Sequence, residues 1–286
     1  MRKTIVLLIL IFAASFKVLA ASVLKQDCTL LSRTLDREVR YTVYLPDGYD
    51  SDERSYPVLY LLHGLGDDHR SWSQQGEVKA IADRAIAAGE AAPMIIIMPD
   101  AGKSWYVDSY DKREAYETMF FEELIPHIDR TFRTRTEKEY RAVAGLSMGG
   151  YGALVYALHR PELFSASCPL SAAVFTDEEL ADRGGVFPEL FSRIFGPEIL
   201  TEHWTRNSVL ALVQAMPEGQ KNAVRFRIDC GDDDFLYRGN SALHVLMRDR
   251  GIPHEYRVRD GGHTWTYWRT ALPEVLAFVS RSFRRS

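Results

Sequence analysis

The stretch Met94-Ile95-Ile96-Ile97-Met98 is apolar at every position. A strand with one face in water alternates apolar and polar residues. An unbroken run reads as a strand covered on both faces, which is the condition inside a parallel sheet flanked by helices. The rest of the chain supports that reading. Strand signals recur at Val39 to Leu45, Tyr56 to Leu62, Arg141 to Ala144, Phe164 to Pro169, Val224 to Cys230 and His254 to Arg259. Helical periodicity lies between several of them, at Val78 to Ala88, Met119 to Thr131, Gly149 to Arg160, Ser241 to Arg250 and Thr266 to Arg281. This alternation predicts an α/β fold with a mostly parallel central sheet and helices on both faces. Val39 to Leu45 alternates polar with apolar, and so reads as an antiparallel edge strand. The 286 residues are enough for one such domain with a large core.

Between about residues 172 and 219 the strand signals stop. Short helical pieces replace them, separated by Gly184-Gly185, Gly196-Pro197 and Pro217. The spacing predicts a cap-like insertion at the carboxyl edge of the sheet within a single domain of residues 21–286. Ahead of it, residues 1–20 read as a secretory signal peptide. Arg2 and Lys3 precede an apolar run from Ile5 to Phe16, and small residues surround Ala20. The run is shorter than the roughly 20 residues that span a bilayer, so stable membrane insertion after cleavage is not expected. A secreted or periplasmic location is. Removing Arg2, Lys3 and Lys17 with the segment takes the net charge from −4 to −7. An acidic chain with no basic stripe lacks the electrostatic footprint for nucleic-acid binding.

Cys168 and Cys230 read as small buried core residues, with a disulfide between them as the alternative. No His or Cys pair stands at zinc-ligand spacing, so neither metal nor cofactor is expected. Glu122, Glu123, Arg130 and Arg133 read as the solvated face of the Met119 to Thr131 helix.

The chemistry concentrates at Gly145-Leu146-Ser147-Met148-Gly149-Gly150, which follows a strand and opens a helix. A strand that turns sharply into a helix leaves no room for side chains flanking the apex. The glycines remove the collisions, and Ser147 is left exposed at the positive end of the helix. A serine hydroxyl needs a base to become a nucleophile. His263 fits: it sits in a loop after a strand, next to Gly261-Gly262, whereas His244 and His254 fall inside regular elements. The acid belongs between the two, after a strand. Asp232, Asp233 and Asp234 all satisfy that spacing, and the spacing does not separate them. An oxyanion hole needs two backbone N–H donors. Met148 follows the nucleophile, and Leu65 lies in His63-Gly64-Leu65-Gly66 after an early strand. His63 precedes the nucleophile and reads as a support for that loop. Trp105, Tyr106 and Trp265 are candidates for stacking on a sugar ring or an aromatic acyl group.

Taken together, Tyr60 to Gly64, Ser104-Trp105-Tyr106, Gly145 to Gly150, Cys230 to Leu236 and Gly261 to Trp265 make the chain resemble the esterase D-like branch of the α/β-hydrolases. That branch holds S-formylglutathione hydrolases, tributyrin esterases and bacterial feruloyl esterases, with mycolyltransferases as distant relatives. The likeness runs from about Val39 to the C-terminus. It implies an α/β-hydrolase fold and a serine esterase acting through an acyl-enzyme. It places the catalytic acid at Asp234, just ahead of Phe235-Leu236, and supports Leu65 and Met148 as the oxyanion donors. An exported member fits short-chain or carbohydrate-linked acetyl and feruloyl esters better than an intracellular S-formylglutathione. An acyltransferase of the mycolyltransferase type would use the same triad, and a non-catalytic carbohydrate-binding scaffold would have lost part of it. The sequence sets neither the acyl group nor the oligomeric state.

Overall fold

The computed structural model describes residues 21–182, 188–197 and 201–283. The segment read as a signal peptide, residues 1–20, lies outside them. Among the described residues the strands are β1 (Val23–Ser32), β2 (Arg37–Leu45), β3 (Val58–Leu62), β4 (Ile95–Pro99), β5 (Arg141–Leu146), β6 (Ala166–Leu170), β7 (Arg225–Gly231) and β8 (His254–Arg259). They form one sheet in the order β1-β2-β4-β3-β5-β6-β7-β8. β1 and β2 run antiparallel to their neighbours, and the remaining pairs are parallel. This is the mostly parallel sheet of the α/β-hydrolase fold, as the alternation predicts.

The helices are α1 (Ser71–Gln74), α2 (Val78–Ala87), α3 (Tyr116–Met119), α4 (Ile125–Thr131), α5 (Met148–His159), α6 (Asp177–Asp182), α7 (Pro188–Phe195), α8 (Glu202–Asn207), α9 (Val209–Ala215), α10 (Tyr237–Asp249) and α11 (Trp265–Phe283). Two cores form, one on each face of the sheet. Ile95 and Ile97 of β4 point into the core that contains α5, and Ile96 and Met98 point into the one beneath α2 and α11. That division explains why the run is apolar throughout. The region from 172 to 219 contains α6 to α9 between β6 and β7. Its Phe191 and Phe195 pack edge-on against Trp105, and Asn207 O accepts from the Tyr151 hydroxyl of α5 at 2.8 Å.

Three expectations need correction. β2 is not the edge strand, because β1 covers it. β1 escapes a periodicity search because its alternation is broken by a bulge between Lys25 and Cys28, with Asp27 at φ 54° and three consecutive residues exposed. The Met119 to Thr131 helix is not continuous. A π-helical turn, Phe120–Leu124, separates α3 from α4. Pro126, the second residue of α4, has no N–H to return to the preceding turn, which accounts for the widened geometry. Glu123 is not merely solvated. Its carboxylate accepts from Ser32 Oγ at 2.5 Å and from the N–H groups of Arg33 and Thr34 at 3.1 Å each. One side chain thus closes the β1–β2 hairpin from the far side of the sequence. Cys168 and Cys230 are free and buried, and burial pushes the Cys168 thiol up to about 12.

Parallel register brings the loops together at one edge. Leu62 pairs with Gly145, Leu146 with Leu170, and Gly231 with Arg259. The segments after β3, β5, β6, β7 and β8 therefore leave the sheet side by side.

Candidate active site

Ser147 stands between β5 and α5 with φ 54° and ψ −118°, a conformation few non-glycine residues adopt. The strain is held by its surroundings. Ser147 N–H donates to Leu170 O at 2.9 Å, and Ser147 O accepts from Tyr151 and Ala173 at 3.0 Å each. The flanking glycines are required by contact. A Cβ on Gly149 would lie 2.5 Å from Leu62 O, and one on Gly145 would lie 2.4 Å from Gly149 O. These are the collisions anticipated from the sequence, and they bring the start of α5 against β3.

The structure brings Ser147, His263 and Asp234 into one hydrogen-bonded line. His263 Nε2 is 2.9 Å from Ser147 Oγ, and His263 Nδ1 is 2.9 Å from Asp234 Oδ2 and 3.1 Å from Oδ1. The three come from loops after β5, β7 and β8. Of the three adjacent aspartates, only Asp234 is buried. Asp232 faces the other way: its Oδ1 accepts from the N–H groups of Gly261 and Asp233 at 3.0 and 3.1 Å, tying the acid turn to the histidine loop. Burial by itself raises the Asp234 carboxyl. Hydrogen bonds from His263, the Leu236 N–H and Ser171, with the nearby His263 charge, outweigh that and hold it below the usual carboxylate range. A carboxylate that stays ionised there keeps a proton on Nδ1 and leaves Nε2 free to accept one from Ser147.

The loop after β3 lies against this line. A Cβ on Gly64 would lie 3.5 Å from Ser147 Cβ, so the Gly64-Leu65 backbone passes beside Ser147. Met148 opens α5, where helix N–H groups have no partner within the helix. His63 is buried and supports the loop, as expected. Its Nδ1 is 2.8 Å from Gly64 O and its Nε2 accepts from Ala101 N–H at 2.9 Å, which puts its proton on Nδ1. The Trp72 indole N–H donates to Leu62 O at 2.9 Å beneath the same loop.

The aromatic candidates separate. Tyr106 is fully buried and its hydroxyl donates to His63 O at 2.9 Å, so it braces the loop and presents no surface to a ligand. Trp105 is 4% exposed and boxed by Tyr151, Phe175, Phe191 and Phe195. Trp265 is half-buried and stacks edge-on between Trp72 and Trp268. The sequence reading missed Phe235, which is 58% exposed with its ring 4.6 Å from that of His263. It also missed Trp268, whose ring meets that of His263 edge-on at 4.9 Å, and Ser171, which accepts from Trp268 Nε1 at 3.0 Å. A signal existed for two of them. Phe235 directly follows Asp234, and Ser171 directly follows a strand that ends at the loop-bearing edge.

Comparison with known proteins places the chain in a family. Residues 32–279 match the Esterase family model, described as "Putative esterase". The chain is 46% identical over 255 residues to Esterase MT1326 of Mycobacterium tuberculosis, covering 78% of this chain and 52% of that protein. It is 38% identical over 164 residues to an endo-1,4-beta-xylanase/feruloyl esterase of Xylanibacter ruminicola, covering 55% of this chain and 23% of that protein. It thus spans about half of the first relative's length and about a quarter of the second's. A solved ferulic acid esterase superposes with a TM-score of 0.82 at 37% identity, covering 92% of this chain and 99% of that one.

Proposed function

The chain belongs to the Esterase family of carboxylic ester hydrolases, and from that premise we propose that it cleaves short-chain or carbohydrate-linked acyl esters through a Ser147–His263–Asp234 triad. Ser147 Oγ attacks the ester carbonyl as His263 Nε2 takes its proton. Asp234 holds the ring in the required tautomer and stabilises the imidazolium. The N–H groups of Leu65 and Met148 receive the oxyanion, each donor contributing about 3 kcal/mol to the transition state. His263 then protonates the departing alcohol, leaving an acyl-enzyme. Water, activated by the same nitrogen, releases the acid and restores the serine.

The observation that carries the reading is the pair of 2.9 Å contacts on opposite nitrogens of one imidazole. Substrate class draws on the relatives, two of which bear feruloyl or ferulic acid esterase names. A feruloyl or acetyl group on a plant polysaccharide also suits an exported enzyme. Export is part of the proposal and rests on the basic-then-apolar start of the sequence; the N-terminus of the purified protein should begin after Ala20.

The test is kcat/KM on acetylated xylan, methyl ferulate and tributyrin, with Ser147→Ala as the control. The variant should lose about 10⁴- to 10⁶-fold in kcat, in line with other serine triads. Full activity in Ser147→Ala would overturn the mechanism. Turnover of tributyrin alone would overturn the carbohydrate-ester assignment.

A further inference from the structure

Asp229 lies in β7, five residues before the catalytic acid, and is completely buried. Its Oδ2 accepts from Arg227 at 2.9 Å and also from Arg259. Its Oδ1 accepts from the Tyr267 hydroxyl at 2.6 Å. Glu274 of α11 accepts from both arginines and completes the cluster. The members are two arginines and two carboxylates, so the group is charge-balanced.

The placement of these partners matters more than their charge. Arg259 is the last residue of β8 and Tyr267 is in the first turn of α11. The loop between them carries His263. Both ends of that loop are therefore fastened to a single carboxylate on the strand that leads to Asp234. The Asp229 carbonyl extends the grip by accepting from Ser171 N–H at 2.7 Å. The Ser171 hydroxyl in turn holds the Trp268 indole that packs against the His263 ring. Both flanks of the base are thus tied to Asp229, in addition to the Gly261 contacts with Asp232 and Asp233.

We propose that Asp229, acting through Arg259 and Tyr267, is a positioning residue for the base: it fixes the His263 loop relative to Asp234 and Ser147. The inference rests on the triad reading above. Its physical basis is that a base displaced by about 1 Å loses on the order of 100-fold in rate, because proton transfer depends on near-contact geometry. A buried carboxylate with three donors is suited to such a task. Each donor fixes one direction, and the low surrounding dielectric makes every departure costly.

The experiment measures kcat and KM on p-nitrophenyl acetate for Asp229→Asn and Tyr267→Phe, with active sites counted by fluorophosphonate labelling and Ser147→Ala as the control. Asp229→Asn should lower kcat per labelled site by about 10- to 100-fold with KM within about twofold, the pattern of misplaced chemistry rather than lost binding. Tyr267→Phe removes one hydroxyl and no charge, so it keeps the test open should the first variant fold poorly. It should lower kcat by roughly 3- to 10-fold, as the loss of one of the two bonds that fasten the loop to Asp229. Unchanged kcat per labelled site in Tyr267→Phe, with or without a fall in Tm, would show a purely structural cluster and overturn the proposal. Activity retained in Ser147→Ala would instead overturn the triad on which it stands.

Discussion

The carbonyl oxygen of Gly261 occupies the place where a side chain on Gly231 would begin: a Cβ there would lie only 1.9 Å from it. Gly231 ends β7 just before the acid turn, and Gly261 opens the histidine loop. The same carbonyl accepts from Asp233 N–H at 3.1 Å. The acid and base loops are thus in backbone contact, and the glycine is what permits it.

Gly231→Ala should therefore separate the two loops. The neighbouring atoms are backbone and have no rotamer to yield. Overpacking of this kind costs about 1 to 3 kcal/mol in stability. The larger effect should fall on catalysis, with kcat lower by about 100-fold or more as His263 moves away from Asp234. Comparing Tm with kcat/KM distinguishes the two effects. A variant with wild-type turnover would show that the loops can part without disturbing the triad.

Asp234→Asn keeps the size of the acid but not its charge. The amide no longer stabilises an imidazolium, and its NH₂ group turned toward Nδ1 favours the wrong tautomer. The expected loss in kcat is about 10⁴-fold, with KM nearly unchanged. Asp233→Asn, at an exposed position, should stay within about twofold of wild type, as surface substitutions generally do. Equal losses in the two variants would move the acid away from Asp234.

Some of this was legible in the sequence because local chemistry and global placement coincide there. The Met94 to Met98 run needs two buried faces, and it has them. Ser147 needs glycine neighbours, and the contacts at Gly145 and Gly149 show why. What stayed hidden depends on partners distant in sequence. Glu123 closes a hairpin some ninety residues away, and nothing in its own helix announces that. Tyr106 reads as a surface aromatic from its loop position, yet Gly152 leaves a space that its ring fills completely. The three aspartates needed a resemblance to separate them, because burial, which singles out Asp234, is set by how β7 and β8 end together.

His159, the last residue of α5, provides a pH test away from the site. Its Nδ1 is 2.6 Å from Glu117 Oε1 and its Nε2 is 2.8 Å from Arg206 O. Both ring nitrogens face acceptors, an arrangement that suits the doubly protonated ring. Burial lowers the ring's proton affinity, but the Glu117 hydrogen bond and charge, with smaller help from Arg206 O and Asp108, outweigh it and raise it above 6.5. A group raised on folding stabilises fully below its unfolded value and loses that contribution as pH rises through the folded one. His159→Gln should therefore lower Tm by several degrees at pH 5.5, at roughly 2 to 4 °C per kcal/mol for a chain of this size. The gap should narrow toward pH 9. A gap independent of pH would mean that the ring holds α5 in place without its charge.

Phe235, exposed beside His263, is expected to contact substrate without taking part in the chemistry. Its ring lies tilted against that of His263 at 4.6 Å while more than half of its surface stays open to solvent. An exposed phenyl beside a base offers an apolar shelf to whichever group of the ester lies over it, and burying part of such a ring contributes about 1 kcal/mol or slightly more. Phe235→Ala should raise KM for methyl ferulate by about 5- to 10-fold, the equivalent of that energy. On p-nitrophenyl acetate, whose acyl group is one methyl, the acyl side offers little to lose. If the ring contacts the acyl group, the two substrates diverge in kcat/KM. Equal losses on both esters, carried by kcat rather than KM, would show instead that Phe235 serves to hold His263 in place.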